Sequence, residues 1–177
     1  APGDDLLAQV SVPAADANRA SSELEYEYRW LVDGEPSGPK AATLPALLTS
    51  KGQTWEVRVR ASDGHASGDE SSAQVTIQNA APSCDSALLL PSAGTAATAL
   101  ACSCKGYHDA DDDLAQTPSC TFRDLGQDLV LQAPGSCELP PGLAQAGMTV
   151  ACEVAPFDGE DTGAAVLSAP VDILNAA

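Results

Sequence analysis

The chain is poor in positive charge. Only 8 Lys and Arg side chains stand against 25 Asp and Glu, which leaves a formal charge of −17 over 177 residues. The imbalance is greatest in residues 83–177, where 2 basic residues face 13 acidic ones, whereas residues 1–82 hold 6 and 12. Such a field repels nucleic acid and anionic membranes and attracts cations. Nucleic acid is therefore not expected as a partner, although solubility or adaptation to salt water would also explain the charge.

Long apolar runs are also missing. No stretch approaches the roughly 20 apolar residues needed to span a bilayer, so membrane insertion is not expected. No signal peptide is recognisable either, and we expect a mature chain or a segment cut from a longer one.

Catalytic motifs are absent in turn. GxSxG, HExxH and phosphate-cradling glycine loops do not occur, and the two histidines, His65 and His108, stand among acids and glycines. Paired carboxylates could in principle hydrolyse glycosides. That reaction needs an aromatic sugar platform, however, and Trp30 and Trp55 fall on the inward faces of their predicted strands. The sequence therefore predicts that the protein is not an enzyme.

Cysteine is missing from the first half and concentrated in the second. The six cysteines are Cys84, Cys102, Cys104, Cys120, Cys137 and Cys152. The only close pair has the spacing CxC, whereas zinc sites favour CxxC. An even number confined to one segment predicts disulfides, which persist in oxidising compartments, so we expect an extracellular or cell-surface location. Six cysteines allow 15 pairings, and the sequence does not choose among them.

An internal repeat is the strongest positive signal. With an offset of 95 positions, residues 44–68 align without a gap on residues 139–163, and 9 of the 25 positions are identical. "VTIQNAAPS" (75–83) also reappears as "VDILNAA" (171–177). The matches fall on turn residues and apolar positions, where a shared fold constrains sequence. The chain therefore contains two copies of one unit, and we place the domains at 1–81, without cysteine, and 82–177, rich in disulfides.

Within each copy the hydrophobic period is two. In "LEYEYRWLV" (24–32) apolar residues alternate with Glu and Arg, and "WEVRVRA" (55–61) has the same pattern. Alternation over such lengths predicts antiparallel strands with one buried and one wet face. Turn signals such as "VDGEPSGP" and "FDGEDTG" separate the strands. The predicted fold is all-β, with two tandem immunoglobulin-like β-sandwiches.

A family resemblance follows from these motifs. "YRWLVDGE", "KGQTWEVRVRASDG" and "VTIQNAAPS" resemble the tandem immunoglobulin-like repeats of bacterial secreted and surface proteins, related to PKD-type modules. The resemblance implies that Trp30 packs against the opposite sheet, with Phe122 in its place in copy two. It also implies a disulfide between strands B and F, which would pair Cys102 with Cys152. The partners of Cys84, Cys104, Cys120 and Cys137 stay open.

Alignment of the predicted strands indicates that the first copy lacks a strand A. Copy two begins with a strand A at 84–92, whereas the first candidate strand of copy one, "LLAQVSV" (6–12), aligns with strand B. One explanation is that the chain is a fragment of a longer repeat array. The other is strand complementation, in which the open edge of copy one is completed by a neighbouring chain to form a filament.

The acidic loops of copy two are the candidate binding site. In such sandwiches the B–C and F–G loops emerge at one end, which brings "HDADDD" towards "FDGEDTG". Calcium takes six to eight oxygen ligands in a flexible geometry. The predicted calcium ligands are Asp109, Asp111, Asp113, Asp158, Glu160 and Asp161. The alternative is a hydrated acidic loop without a specific ion.

Two functions are compatible with these features. The first is a non-catalytic structural module of a bacterial stalk, surface layer or filament, stiffened by calcium, with other copies or neighbouring repeats as partners. The second is an adhesin or carbohydrate-binding accessory module that uses the acidic loop end.

Overall fold

The expected all-β fold is confirmed. The computed structural model describes residues 3–17 and 24–176, and strands make up 48% of the chain. The helical element among these residues is a single 3-10 turn, Ala46–Leu48. No helix in the described part is long and apolar enough to cross a bilayer. The chain divides into two compact units, unit 1 (Ala1–Asn79) and unit 2 (Ala80–Ala177).

Unit 1 is built from two small antiparallel sheets. Its strands are β1 (Leu6–Leu7), β2 (Glu25–Val32), β3 (Glu35–Pro36), β4 (Thr43–Leu44), β5 (Thr54–Ser62) and β6 (Ser71–Thr76). The larger sheet has the order β3-β2-β5-β6, and the smaller is the pair β1-β4. Residues of β2 alternate between exposed and buried as the sequence period requires, with Trp30 enclosed.

Unit 2 is a fuller version of the same sandwich. Its strands are β7 (Ser83–Leu90), β8 (Gly94–Thr95), β9 (Leu100–His108), β10 (Ser119–Asp124), β11 (Leu129–Gly135), β12 (Glu138–Leu139), β13 (Thr149–Ala155), β14 (Val166–Leu167) and β15 (Val171–Leu174). One sheet has the order β12-β9-β7. The other has the order β11-β10-β13-β15-β8, with β14 also paired to β13.

The strand pairing is equivalent in the two units, with an offset of 95 between β5 and β13 and of 92 between β2 and β10. Trp30 faces Val57 across β2 and β5, and Phe122 faces Cys152 across β10 and β13. Leu6 likewise pairs with Leu44, as Leu100 pairs with Leu139. Strand β1 therefore occupies the position of β9, and the large aromatic of strand C sits at the same place in both units.

Glycines matched between the two copies are explained by backbone conformation. Gly52 and Gly147 have φ of 83° and 88°, and Gly64 and Gly159 have φ of 84° and 109°. A side chain at Gly52, Gly64 or Gly147 would meet no atom within 4 Å. The left-handed backbone conformation of these turns, and not a lack of space, therefore explains the glycines.

Strand A is present in unit 2 and has no counterpart in the described part of unit 1. In unit 2, β7 pairs with β9 from Ser83 to Leu90, whereas β1 pairs only with β4. The prediction of a strand over 6–12 was too long. Pairing persists as far as Ala8, whose N–H donates to Ala42 O at 2.8 Å, and then ends. Without a strand A on its outer side, the segment has no second ladder to keep it extended.

The two cores differ in size as a result. Unit 2 buries Leu89, Leu100, Cys102, Cys120, Phe122, Leu139, Ala144, Val150, Cys152, Val154, Val171 and Ile173 in one cluster. The corresponding cluster in unit 1 consists of Trp30, Leu44, Trp55, Val57 and Ile77. Its two indoles pack edge to face, with centroids 6.5 Å apart and planes at 73°. Unit 1 therefore depends on aromatic area where unit 2 has aliphatic side chains and cystines.

Three disulfides connect the strands of unit 2. Cys102 of β9 is bonded to Cys152 of β13, the pair implied by the family resemblance, and this bond crosses the core between the sheets. The pairings that the sequence left open are Cys84–Cys104, which fastens β7 to β9, and Cys120–Cys137, which links β10 to the segment before β12. Every cysteine is thus paired.

Replacement of Cys102 and Cys152 together by Ala should lower the free energy of unfolding of unit 2 by about 2–5 kcal/mol. The bond closes a segment with a sequence separation of 50, so its loss enlarges the unfolded ensemble, and the smaller side chains leave a buried gap. Urea unfolding followed by circular dichroism measures the change.

Tryptophan fluorescence provides the internal control, because both tryptophans of the chain lie in the core of unit 1. The urea midpoint followed by tryptophan fluorescence should be the same in the double variant as in the parent protein. A drop below 0.5 kcal/mol in unit 2, on the scale of an ordinary surface substitution, would show that this cystine is not a principal stabiliser.

Candidate functional site

The two loops proposed as a metal site meet at one end of unit 2. Asp109 directly follows the last residue of β9, and Asp158 lies three residues after the end of β13. The loops are tied together by the N–H of Gln116, which donates to Phe157 O at 2.8 Å. Their adjacency follows from the sandwich topology that the sequence predicted.

Three carboxylates converge where these loops meet. Asp109, Asp113 and Asp158 each offer one oxygen, and the three oxygens lie within 4.8 Å of one another. We call this group the acidic triad. Oxygens that share a calcium ion at 2.3–2.6 Å lie no more than roughly 5 Å apart. The triad therefore has the dimensions of a partial calcium shell, to which backbone carbonyls and water would have to add the remaining ligands.

The loops hold the triad through turns made by its own members. Asp109 Oδ1 accepts the N–H groups of Asp111 at 2.7 Å and Asp113 at 3.3 Å, so the B–C loop coils instead of running extended. Asp158 is buried, and its Oδ1 accepts the N–H groups of Glu160 at 2.6 Å and Asp161 at 2.7 Å. Such Asx turns fix one oxygen of each carboxylate on the backbone.

The other three predicted ligands are not part of the triad. Asp111 directs Oδ2 to the N–H of Ala80, at 2.8 Å, and so anchors the segment before β7. Glu160 and Asp161 contribute their backbone N–H groups to the Asp158 turn, and both residues are exposed. Asp109, Asp111 and Asp113 alternate along the sequence, and such spacing points every second side chain the same way only in an extended chain, not in a coiled loop.

Two buried polar atoms, one in the triad and one in the strand before it, have no hydrogen-bond partner among the described residues. They are Oδ2 of Asp109 and the hydroxyl of Tyr107. Burial of the hydroxyl raises the pKa of Tyr107, and the negative charges of Asp109, Asp158 and Asp113 raise it further. Sequence analysis overlooked Tyr107, although its position two residues before the acidic loop places it at the same end of the unit.

A second feature lies in unit 1, where residues 3–17 and 24–79 contain no strand A. A groove of about 800 Å³ separates the chain after β1 from the edge of β6. Its floor is the inner face of the large sheet, and its walls include segment 6–12 and segment 71–75. We call this groove the open seam. It lies where β7 and β8 close the sandwich in unit 2.

Exposure of equivalent residues measures how open the seam is. Val75 pairs with Trp55, and its counterpart Val171 pairs with Val150. Val75 is 44% exposed, whereas Val171 is 4% exposed. Every residue of β6 is exposed, and the ladder of β6 among the described residues runs only to β5. In unit 2, β15 lies between β13 and β8 and is covered on both sides.

The histidines occupy unremarkable surface positions. His65 lies in an exposed turn in which Asp63 Oδ1 accepts the N–H groups of His65 and Ala66. His108 faces Asp85, with 3.1 Å between Nε2 and Oδ1, and both side chains are about two-thirds exposed. Neither histidine lines the groove of unit 1.

Comparisons with known proteins concern the fold alone. No protein-family model matches the chain, and no curated protein matches it. It is similar to a two-domain fibronectin type-III segment of chicken tenascin, with 7% identity, 80% of this chain and 81% of that chain covered, and a TM-score of 0.42. It is also similar to the FN1–FN3 domains of chicken CNTN1, with 11% identity, 83% of this chain and 54% of that chain covered, and a TM-score of 0.33.

Neutralisation of one triad carboxylate should lower the pKa of Tyr107. Asp113→Asn removes a negative charge that opposes formation of the tyrosinate, so the hydroxyl should ionise at a lower pH. An ultraviolet difference titration against the parent protein measures the shift. Asp128→Asn, in an exposed turn elsewhere in unit 2, is the matched control and should leave the titration unchanged. Identical curves for all three proteins would contradict the electrostatic account.

Proposed function

We propose that the chain is a non-catalytic structural module of an extracellular assembly, namely a stalk, surface layer or filament of a bacterial cell surface. The observation that carries this is the cross-linking of unit 2. Three disulfides connect β7, β9, β10, β13 and the segment before β12 within one small sandwich. Cystines at this density persist outside the cytoplasm and stiffen a unit against unfolding.

The arrangement of polar groups supports a structural role over an enzymatic one. The acidic and basic side chains of unit 1 pair with each other on the wet face of its sheet, as Arg60 does with Glu27 and Arg58 with Glu56. The relation to bacterial immunoglobulin-like repeats of the PKD type is part of this proposal and rests on the motifs and on the duplication.

Calcium is part of the proposal, with the acidic triad as its binding site. The acidic triad joins the B–C loop to the F–G loop, and its carboxylates repel one another unless a cation lies between them. The buried, unpaired Oδ2 of Asp109 is a second and independent sign, because a buried carboxylate oxygen without a partner is costly. An ion bound there would fasten the two loops and stiffen that end of unit 2.

The alternative is an adhesin or a carbohydrate-binding module. The exposed acidic loop end is the surface available for it. Sugar sites require an exposed aromatic platform, and both tryptophans, Trp30 and Trp55, are buried at 4% and 2% exposure. We therefore place the structural role first.

Imaging of the native material tests the structural role. Antibodies against the chain should label regular, extended surface structures in electron micrographs of the intact source cells, because a spacer module functions only within an assembly. Release of the protein as a free monomer, with no labelled surface structure, would contradict this role. Saturable binding of a glycan by that monomer would favour the alternative.

Calcium should raise the thermal midpoint of unit 2 in a saturable way. A single site stabilises by RT ln(1 + [L]/Kd), which is about 2.7 kcal/mol when calcium is at 100 times Kd. Calorimetry or circular dichroism over a calcium titration measures the effect. Potassium chloride at matched ionic strength shows how much comes from screening of the −17 charge.

Variants at the triad separate a specific site from a hydrated loop. The double variant Asp109→Asn, Asp158→Asn should lose the calcium response, while Asp128→Asn should retain it. Binding heats at 25 °C, measured on the folded proteins, give the same comparison without unfolding. A calcium response equal to that of potassium chloride, or a calcium response that survives in the double variant, would contradict a specific calcium site. The acidic loops would then be hydrated loops without a bound ion.

A further inference from the structure

We propose that the open seam of unit 1 is an acceptor site for a β-strand of the β7 type, supplied by a second copy of the repeat. This inference rests on the structural role proposed above and specifies how one module would join the next. It depends on the internal duplication, because unit 2 contains a strand at the position that is open in unit 1.

Unit 2 shows what fills the seam. Strand β7 pairs antiparallel with β9, and Ala87 forms a parallel bridge with Ser168 next to β13. The chain then continues into β8, which pairs in parallel with β15 through Gly94 to Ile173 and Thr95 to Leu174. One segment, 83–95, thus pairs with both sheets, with β9 through β7 and with the second sheet at Ala87, Gly94 and Thr95.

Unit 1 presents the same partners, and none of its described residues forms a strand at the position of β7. β1 corresponds to β9, and β6 corresponds to β14 and β15. Val75 is exposed where Val171 is covered, and Val10 and Val12 of the opposite wall are 37% and 80% exposed. The outer edge of β6 has backbone donors and acceptors for a further strand. Apolar side chains and a free edge at one place are what strand addition requires.

The pattern of β7 fits an acidic acceptor. Leu89 is buried and Ala87 packs against the core, while Leu88 and Leu90 point outward. Between residues 71 and 104 the only charged residue is Asp85. A strand of this composition can enter a domain with 12 acidic and 6 basic residues without bringing strong repulsion. This near-neutrality is compatible with a β7-type strand, and the position of β7 in unit 2 is what selects it over the other strands of the repeat.

The equivalence also fixes the register. Ser168 N–H donates to Cys152 O, and Ala73 pairs with Val57, the counterpart of Cys152. The position of the incoming strand that corresponds to Ala87 should therefore lie opposite Ala73. Positions corresponding to Gly94 and Thr95 should pair beside Ile77 and Gln78, the counterparts of Ile173 and Leu174.

A peptide of residues 83–95 with Cys84→Ser is the direct probe, added to the full chain. The peptide has no aromatic residue, and both tryptophans of the protein lie on the seam, so tryptophan emission reports its occupancy. We expect a saturable change in emission. A peptide with Leu89→Asp, at an inward position, should bind at least about tenfold more weakly, whereas Leu88→Asp, at an outward position, should bind like the parent.

The acceptor is tested by variants that leave its fold intact. Val75→Asp places a charge on an exposed wall of the seam and should abolish peptide binding. Leu47→Asp, at a residue that is 85% exposed and outside the seam, should not change it. Unchanged urea midpoints for both variants, followed by tryptophan emission, establish that unit 1 is folded.

Cross-linking tests the register. Ala73→Cys in the protein should form a disulfide with a peptide that carries Ala87→Cys, because paired strands bring Cα atoms into the range that disulfides need. Leu47→Cys, at an exposed residue outside the seam, should react no faster than with a scrambled peptide. Equal reactivity at both positions would overturn the proposed register.

The remaining outcomes are also decisive. Equal binding of the scrambled peptide would mean that the seam takes any apolar ligand, and the proposal would fail. A dimer in sedimentation that shows the same emission change without peptide would mean that two seams cover each other. Peptide that fails to bind, in a protein whose antibodies label surface structures, would overturn strand acceptance and leave the structural role standing. Peptide binding to a protein whose antibodies label no surface structures would support strand acceptance and contradict the structural role.

Discussion

Closure of the sandwich by strand A is the constraint on which the rest of the structure depends. A sheet edge has unpaired backbone groups, and the gap between two sheets exposes the side chains that face it. In unit 2, one segment satisfies both needs, because β7 completes the ladder of β9 and β8 covers β15. Core size follows from this closure. The buried cluster of unit 1 is small because Val59 and Val75, whose counterparts Val154 and Val171 are enclosed, lie on an open side.

Much of the architecture could be predicted from the sequence because its period and its duplication are local signals. Alternation in residues 24–32 predicted the inward positions of β2, although Leu31 is buried as well, and the offset of 95 predicted the equivalence of β5 and β13. The missing strand A was visible for the same reason. The length of β1 was not, because a segment with strand-like composition stays extended only where a partner strand is present. The β-propensity of "LLAQVSV" does not tell whether a partner strand is present.

The candidate site shows the opposite limit. Topology alone predicted that the B–C and F–G loops would meet, and they do. Which carboxylates converge depended on loop conformation, and the Asx turns of Asp109 and Asp158 decided it by coiling both loops. Asp111 instead accepts a hydrogen bond from the N–H of Ala80, and the spacing of the aspartates does not predict a contact with a residue so distant in the sequence. Two of the disulfides were equally beyond reach, since six cysteines leave many pairings open until the strand register is known.

The distribution of cysteine suggests how the two units divide their tasks. In unit 2, Cys84–Cys104 bonds strand A covalently to its neighbour β9, and Cys102–Cys152 fixes that sheet to the other, so the closing strand cannot exchange. Unit 1 has the same sandwich without any cysteine, and its core is held together by side-chain packing around Trp30 and Trp55. A strand that enters such a seam is retained by hydrogen bonds and apolar contact alone, and its binding is therefore reversible. If unit 1 accepts a strand as proposed, one duplicated fold provides a closing strand that is locked by disulfides in unit 2 and one that is exchangeable in unit 1.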